Sequence, residues 1–280
     1  RLNPKLLDFD LNKLSEAISI RRDHNFKYLG VQVLYDRYFI RHNDKVMEAP
    51  QCFWMRVAMG LSINEEDKDD KAIEFYDLMS QMLYTPSTPT LFNSGTTRSQ
   101  LSSCYLNTFD DSIDGIFDGA WQEARKSKFA GGLGLDVTPF RSTGSHIQGT
   151  NGISSGLVPW LKIYNDLLVA VNQGGKRPGA GCAYLEPWHL DFEDFLNLRR
   201  NTGDDRLRCH DMNTAAWIPD EFMRRVKGEQ DWYFFDPKDT TCKDGKTLHD
   251  YFGKEFDTRY SELIKLAEIG EISNWKKIPA

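Results

Sequence analysis

The chain has 280 residues, with 35 lysines and arginines against 41 aspartates and glutamates, so its formal net charge is −6. Hydrophobic residues make up 40% and charged residues 27%, a globular composition that excludes wholesale disorder. The acidic balance argues against a nucleic-acid coat, and the apolar runs are too short to span a bilayer. We therefore expect neither nucleic acid nor a membrane as a partner.

From residue 1 to about 90 the apolar residues recur with the period of an α-helix. Asp10 is placed to cap the first helix, and the second is expected to be buried. The predicted helices cover 11–18, 29–40, 49–63 and 71–83. Prolines within 85–90 end this pattern because they bar helix continuation, so 1–90 is assigned to an N-terminal helical region.

The remainder, 91–280, alternates short apolar segments with helical ones, and Asp111 is expected to cap the first of these helices. The predicted strands are 100–106, 134–137, 181–185, 213–217 and 232–235. The predicted helices are 112–128, 156–172, 190–200, 219–226 and 248–268. Strands separated by helices predict an α/β fold whose five strands form a parallel sheet built from crossover units.

The five cysteines are widely spaced and form no Cys-x-x-Cys pair. An odd number of scattered thiols is typical of a reducing compartment, and it argues against a disulfide framework and a structural zinc site. The first residues contain no apolar core of a secretory signal. These features predict a cytoplasmic protein with no metal site of its own.

The segment Gln100-Leu-Ser-Ser-Cys-Tyr-Leu106 places two serines and a cysteine on a predicted strand. Strand alternation sends Ser102 and Cys104 to one face and Ser103 and Tyr105 to the other. The residues alone leave two interpretations open. Either small residues pack beneath helices, or Cys104 is a redox-active thiol lining a cavity that a substrate can enter.

Two glycine-rich segments carry further candidates. Residues 130–136 follow a helix and lead into a strand, the reverse of the order in a dinucleotide-binding loop, which argues against a Rossmann-type dehydrogenase. Residues 173–181 contain four glycines around Lys176 and Arg177, between a helix and a strand. This segment is either a surface turn with solvated charges or a loop that reorganises around phosphates or bases.

Taken together, several segments resemble the large, catalytic subunit of aerobic class I ribonucleotide reductases. The matching segments are Pro89-Thr-Leu-Phe-Asn-Ser-Gly95, Gln100-Leu-Ser-Ser-Cys104, Asp111-Ser-Ile113, Gly144-Ser145, Gly149-Thr-Asn-Gly152, Gln173-Gly-Gly175, Lys176-Arg-Pro-Gly179 and Tyr184-Leu-Glu-Pro-Trp-His-Leu190. The resemblance implies that 91–280 forms the first five-stranded parallel half of a ten-stranded α/β barrel.

The resemblance also implies a reaction, the reduction of ribonucleoside diphosphates at C2′ by thiyl-radical chemistry. Cys104 matches one of the family's two reducing cysteines. Thr88, Ser103 and Cys104 match substrate-contacting positions, and Gly131 and Gly132 match a backbone approach to the substrate. Oxidation of two thiols to a disulfide would supply the two reducing equivalents.

An allosteric site for deoxynucleotide or ATP effectors is implied as well. The matching residues are Asp111, Ser112 and Ile113 at a helix start, Lys128 and Arg141 as cations for base and phosphate, and Gln148 and Gly149 in a loop over the effector. The loop that carries the signal to the substrate matches Asn172, Gln173, Gly174, Gly175, Lys176, Arg177, Pro178 and Gly179. It departs from the family pattern at Asn172, where relatives have Asp.

The family's radical-bearing cysteine lies in an Asn-Leu-Cys-x-Glu segment that is absent from this sequence, so we expect the N-terminal half of a catalytic subunit. The implied partners are the C-terminal half, a second catalytic subunit in a homodimer, a metal-containing small subunit that generates the radical, and thioredoxin or glutaredoxin as reductant. Apart from effectors, no cofactor is expected on this chain. The alternative is a nucleotide-binding or dimerisation module without catalysis, although such a module has no need of Cys104.

Overall fold

The computed structural model describes residues 1–129, 131–171, 179–243 and 245–280. They form two compact units, Arg1–Ser103 and Cys104–Ala280, and each is described by itself. The predicted division between 1–90 and 91–280 falls somewhat earlier in the chain. Within the described residues no helix is long and apolar enough to cross a membrane.

The first unit consists of helices and one short hairpin. Its helices are α1 (Leu11–Ala17), α2 (Tyr28–Val33), α3 (Pro50–Ser62), α4 (Lys68–Ser80) and α5 (Thr90–Asn93), and its strands are β1 (Arg41–His42) and β2 (Lys45–Val46). The Asp10 carboxylate accepts hydrogen bonds from the backbone N–H groups of Asn12 and Lys13, which confirms the predicted cap of α1. Phe53 and Val57 of α3 are fully buried, as are Tyr76 and Met79 of α4, because these two helices pack together.

The predicted helix 29–40 forms in two parts and is not buried as expected. α2 continues into a π-helical turn, Leu34–Tyr38, which widens the backbone spiral midway. Leu29 is 72% exposed, whereas Leu34 and Phe39, which directly follows the π-helical turn, enter the core. The apolar pattern therefore predicted the position of the helix correctly but overestimated how many of its side chains are buried.

The second unit contains the remaining elements. Its strands are β3 (Cys104–Thr108), β4 (Gly132–Asp136), β5 (Thr143–Ile147), β6 (Gly152–Ser155), β7 (Ala180–Leu185), β8 (Asn213–Ala216), β9 (Trp232–Phe235) and β10 (Trp275–Ile278). Its helices are α6 (Ile113–Lys128), α7 (Leu157–Ala170), α8 (Phe192–Asn197), α9 (Asp220–Lys227) and α10 (Gly253–Glu268).

In the described part of this unit, four strands form the parallel sheet, in the order β3–β4–β7–β8. One face is packed: Leu135, Ala183 and Leu185 are fully buried in the same apolar core as Leu161 and Leu168 of α7. Buried apolar side chains on alternate strand positions fix the register, since a shift by one residue would expose them. The α/β class is thereby confirmed for 104–280.

The prediction of a fifth parallel strand at 232–235 is corrected by the structure. β9 pairs antiparallel with β10, a strand that the sequence analysis missed. The amide of Phe235 also donates to the carbonyl of Trp188 at 2.7 Å, and the amide of Leu190 donates to the carbonyl of Phe235 at 3.0 Å. These bonds join β9 to the chain that follows β7 instead of to β8.

Three further details differ from the sequence-based expectations. The cap of α6 is Ser112, whose hydroxyl accepts the N–H of Gly115 at 3.0 Å, so the expected cap by Asp111 is wrong. β5 and β6 form an antiparallel hairpin where no strands were predicted. The helix expected at 248–268 is interrupted: a short 3₁₀ turn covers Leu248–Asp250, and α10 begins only at Gly253, whose φ of 55° lies outside the helical region and separates the two.

Candidate functional site

The second face of the parallel sheet, which we call the open face, carries the expected reducing thiol. By strand alternation and register it is formed by Cys104, Leu106, Thr108, Gly132, Gly134, Asp136, Cys182 and Tyr184. Cys104 begins β3, is exposed and is not part of a disulfide. The thiol is therefore accessible, as its expected reductive role requires.

Both expected substrate glycines lie beside this thiol. Gly132 begins β4 and pairs in register with Cys104. The amide of Gly131 donates to the carbonyl of Lys126 at 3.1 Å, and a Cβ on Gly131 would lie 2.7 Å from the ring of Tyr105. Since no side chain fits there, the backbone at Gly131 needs glycine for packing reasons alone.

The other two expected substrate residues, Thr88 and Ser103, belong to the first unit. The hydroxyl of Thr88 lies 2.8 Å from the hydroxyl of Tyr38, within hydrogen-bonding distance. Ser103 is half-buried and is the last residue of that unit. Their contact with a substrate stays a prediction.

A second thiol, Cys182, lies on the open face but two strands away from Cys104. It pairs with Gly134, which pairs in turn with Leu106. Two strand spacings amount to about 10 Å, whereas a disulfide requires Cα atoms within about 7 Å. Burial raises the pKa of Cys182, and a hydrogen bond from Tyr184 partly offsets this effect. Cys182 is thus not placed to form a disulfide with Cys104.

Asp136, Glu186 and His249 form a charged cluster at the carboxyl ends of β4 and β7, which we call the His249 cluster. The Nε2 atom of His249 lies 2.8 Å from Asp136 Oδ2, and its Nδ1 atom lies 2.5 Å from Glu186 Oε1. Thr108 donates its hydroxyl to Asp136 at 2.9 Å. Trp188 donates its indole N–H to the second oxygen of Glu186 at 2.5 Å.

The two carboxylates hold the imidazole of His249 in its charged form. Burial alone would lower the pKa of His249, but hydrogen bonds to Asp136 and Glu186 and their negative charges raise it to about 10. Burial opposes ionisation of Asp136, yet the bond and charge of His249 keep its pKa below the ordinary value. For the more deeply buried Glu186, burial dominates and raises the pKa.

No sequence motif had indicated the His249 cluster, which lines a cavity of about 390 Å³ on the open face. Leu106, Tyr184 and Trp217 supply its apolar and aromatic walls. Asp136 and Glu186 could have been found, since each lies at the carboxyl end of a predicted strand, where parallel sheets place their sites. No local pattern marks His249.

Three of the expected effector residues converge with Arg141 on a second cavity, which we call the effector cavity. It has a volume of about 320 Å³ and is lined by Asp111, Ser112, Ile113, Ile116, Arg141, Ile147, Ile153, Ser154, Ser155, Gly156, Pro159 and Trp160. The Arg141 guanidinium donates to the Asp111 carboxylate at 2.6 Å and to the Asp111 carbonyl at 3.2 Å. The amino-terminal end of the sixteen-residue helix α6 faces the same space.

The other expected effector residues do not line this cavity. Gln148 and Gly149 lie in the turn between β5 and β6, whose flanking residues Ile147 and Ile153 do line it. Lys128 ends α6, about 18 Å along the helix axis from Ile116, the last residue of this helix that lines the cavity. Within one chain, the structure therefore does not bring Lys128 to Arg141.

The expected specificity loop falls mainly on 172–178, which lie outside the described residues. Gly179, its last member, is described. A Cβ on Gly179 would lie 2.3 Å from the carbonyl oxygen of Leu168 and 3.0 Å from the hydroxyl of Ser127. Gly179, directly before β7, therefore packs closely against α7 and the end of α6.

Comparison with known families matches both units of the chain. Residues 102–279 match the barrel domain of ribonucleotide reductase, and residues 24–99 match its all-alpha domain. The chain is 53% identical, over its whole length, to ribonucleoside-diphosphate reductase subunit alpha of Chlamydia muridarum. It is 44% identical over 96% of its length to the corresponding subunit alpha of Helicobacter pylori, and 46% identical over 89% to the large subunit of Monkeypox virus.

The matched relatives are considerably longer than this chain. The alignment covers 26% of the Chlamydia muridarum protein, 34% of the Helicobacter pylori protein and 32% of the Monkeypox virus protein. The chain thus spans about a quarter to a third of the length of these relatives.

Proposed function

The chain belongs to the ribonucleotide reductase large-subunit family, and from this premise we propose that it is part of a catalytic subunit that reduces ribonucleoside diphosphates to deoxyribonucleotides. The effector cavity is the observation that carries the proposal. Asp111, Ser112 and Ile113 meet Arg141 there, and these are the residues that the sequence had matched to an effector site.

The chemistry of the effector cavity suits a deoxynucleoside triphosphate. The Arg141 guanidinium offers several N–H donors in a plane, the arrangement that binds phosphate oxygens well. The amino-terminal end of α6 adds partial positive charge. Ile147, Ile153 and Trp160 supply apolar surface for a sugar or base. The expected roles of Lys128, Gln148, Gly149 and the loop 172–179 remain part of this proposal.

Cys104 serves as one of two reducing thiols. Two thiols and the C2′ hydroxyl of the ribonucleotide give a C2′–H bond, one water and one disulfide, so the substrate gains two electrons and the sulfurs lose two. Thioredoxin or glutaredoxin then reduces the disulfide by thiol exchange. The second reducing cysteine and the radical-bearing cysteine lie in the C-terminal half of the subunit, whose strands complete a barrel together with the four-stranded parallel sheet of this chain.

The subunit acts as a homodimer in the cytoplasm, and a metal-containing small subunit generates its radical. An apolar stripe on α6 supports the homodimer. Ile113, Phe117 and Trp121 follow one another at intervals of four residues and are 61%, 51% and 58% exposed. Such a stripe on a helix surface is typical of an interface. It begins at the effector cavity, so effector binding and dimerisation share the first turn of α6.

The test is ribonucleoside diphosphate reduction by the purified protein with the C-terminal half, the small subunit and thioredoxin. Cys104→Ser should abolish multiple turnover while effector binding is retained, because the thiol serves the chemistry and not the fold. Cys182→Ser is the matched control and should turn over normally. Normal turnover by Cys104→Ser would remove Cys104 from the mechanism.

The same assay separates the enzyme from a nucleotide-binding or dimerisation module without catalysis. Such a module would bind a deoxynucleoside triphosphate and dimerise, but no combination of added subunits would give product. The accessible thiol of Cys104 beside Gly131 and Gly132 favours the enzyme.

A further inference from the structure

The hairpin beside the effector cavity is anchored by Asp191, a residue that does not line this cavity. Asp191 precedes α8, where an aspartate ordinarily caps its own helix. Its side chain makes no such cap, and only 5% of the residue is exposed. A buried carboxylate requires hydrogen-bond donors, and Asp191 finds them in a distant segment.

The Asp191 carboxylate joins the two ends of the hairpin. The amide of Thr143, at the start of β5, lies 3.0 Å from Oδ1 and 3.1 Å from Oδ2. The amide of Leu157, the first residue of α7, donates to Oδ2 at 2.9 Å. Gly156 occupies the cap position of α7 and has no side chain. Asp191 therefore caps α7 from a remote part of the chain.

Gly156 makes room for this carboxylate. Its φ is 77°, a conformation that other residues adopt only with strain. A Cβ at this position would lie 2.4 Å from Asp191 Oδ2 and 2.0 Å from Thr143 Oγ1. Because Ser155 and Gly156 also line the effector cavity, the Asp191 carboxylate lies directly behind the cavity wall.

Buried polar groups extend this anchor to the backbone around Arg141. The amide of Asp191 donates to Nδ1 of His189 at 3.0 Å, and Nε2–H of His189 donates to the carbonyl of Phe140 at 2.7 Å. Burial lowers the pKa of His189, so the ring stays neutral and Nδ1 remains an acceptor. The amide of Ser142 lies 3.4 Å from an oxygen of Asp236. Both neighbours of Arg141 are thus held by buried side chains.

We infer that Asp191 is a positioning residue of the effector site: its carboxylate sets the hairpin through the amides of Thr143 and Leu157, and thereby controls affinity for a deoxynucleoside triphosphate although Asp191 does not line the effector cavity. This inference rests on the effector site of the proposed function. It assigns a role to Asp191, which lines neither cavity.

Calorimetric titration of the purified protein with dATP, dTTP and dGTP, each alone, tests the inference. Asp191→Asn replaces one acceptor oxygen with an N–H donor, which cannot accept from the amides of Thr143 and Leu157. We therefore expect the Kd to rise at least tenfold. The stoichiometry should stay unchanged. Asp191→Glu keeps the charge and should give an intermediate Kd. The control is Asp194→Asn, which makes the same change at an exposed site of α8 and should bind like the wild type.

Each other outcome is decisive. If Asp191 only supported folding, fewer Asp191→Asn molecules would bind nucleotide, but the molecules that still bind would have the wild-type Kd. That result would overturn the inference. Wild-type affinity in Asp191→Asn together with weak binding by Arg141→Ala would overturn it while leaving the proposed effector site intact. Failure of the wild type to bind any of the three nucleotides would overturn both.

Discussion

Arg141 and Asp111 form an ion pair across the effector cavity, with 2.6 Å between the guanidinium Nε and a carboxylate oxygen. Both side chains are about a quarter exposed, so water can reach the pair and it can open for a ligand. The carboxylate that the sequence suggested as a helix cap instead orients the cation expected to meet phosphate. Opposite charges from two distant segments of the chain thus orient Arg141 in the cavity.

Loss of Arg141 should weaken effector binding. Arg141→Ala removes charge-assisted bonds to phosphate and leaves Asp111 without its cation, so the expected loss is about 1.5–3 kcal/mol, or roughly 10- to 150-fold in Kd. Titration calorimetry with a deoxynucleoside triphosphate measures it. The exposed Arg200→Ala should bind as the wild type does. Equal affinity in Arg141→Ala would place the effector elsewhere.

Loss of His249 should destabilise the fold of the second unit. His249→Gln leaves Asp136 and Glu186 close together without a cation, and breaking such a pair costs about 3 kcal/mol when it is mostly buried. Denaturant unfolding at pH 6.5 measures the loss. His210→Gln, at an exposed histidine, should leave the free energy of unfolding within about 0.5 kcal/mol of the wild type.

His249 should also make stability fall at alkaline pH. Its pKa is raised in the fold from 6.5 to about 10, so the folded state binds this proton more tightly than the unfolded chain does. Its contribution is therefore full below about pH 6.5 and is lost as the pH rises through 10. The free energy of unfolding, measured from pH 6.5 to 9.5, should decline more steeply for the wild type than for His249→Gln. Parallel curves would contradict the assigned ion pairs.

A side chain at Gly156 should disrupt the anchored hairpin. Gly156→Ala combines a positive φ with contacts too short for a methyl group, and we expect a loss of about 1–3 kcal/mol in stability. Gly149→Ala is the control, because nothing lies within 4 Å of its added Cβ. Chemical denaturation of both variants checks this expectation. Similar stability of the two variants would show that the hairpin can move away from Asp191.

A charge on the α6 stripe should weaken the proposed homodimer. Trp121 is 58% exposed, and Trp121→Lys replaces apolar surface with an ammonium group that resists burial. Sedimentation velocity with saturating effector should show a shift toward monomer. Gln122→Lys adds the same charge on the neighbouring exposed position and should dimerise normally. Unchanged dimerisation of Trp121→Lys would place the interface elsewhere.

Much of the local structure could be predicted from the sequence. The Asp10 cap and the helices near 50–62 and 157–170 follow from apolar period and capping chemistry, which act over a few residues. The strand predicted at 100–106 was only partly right, because β3 begins at Cys104 and continues to Thr108. The motifs also named the family and brought Asp111, Ser112, Ile113 and Arg141 into one expected site.

Only the tertiary structure decided which distant groups meet. His249 pairs with Asp136 and Glu186, and Asp191 caps α7. Within the site that the motifs had indicated, the structure also showed that Asp111 forms an ion pair with Arg141. The structure likewise showed that β9 pairs with β10 and is not a strand of the parallel sheet. Local patterns specify that a helix or strand forms, but the order of strands and the path of each connection determine its neighbours. Side-chain partners therefore become definite only when the sheet has assembled and buried its apolar face.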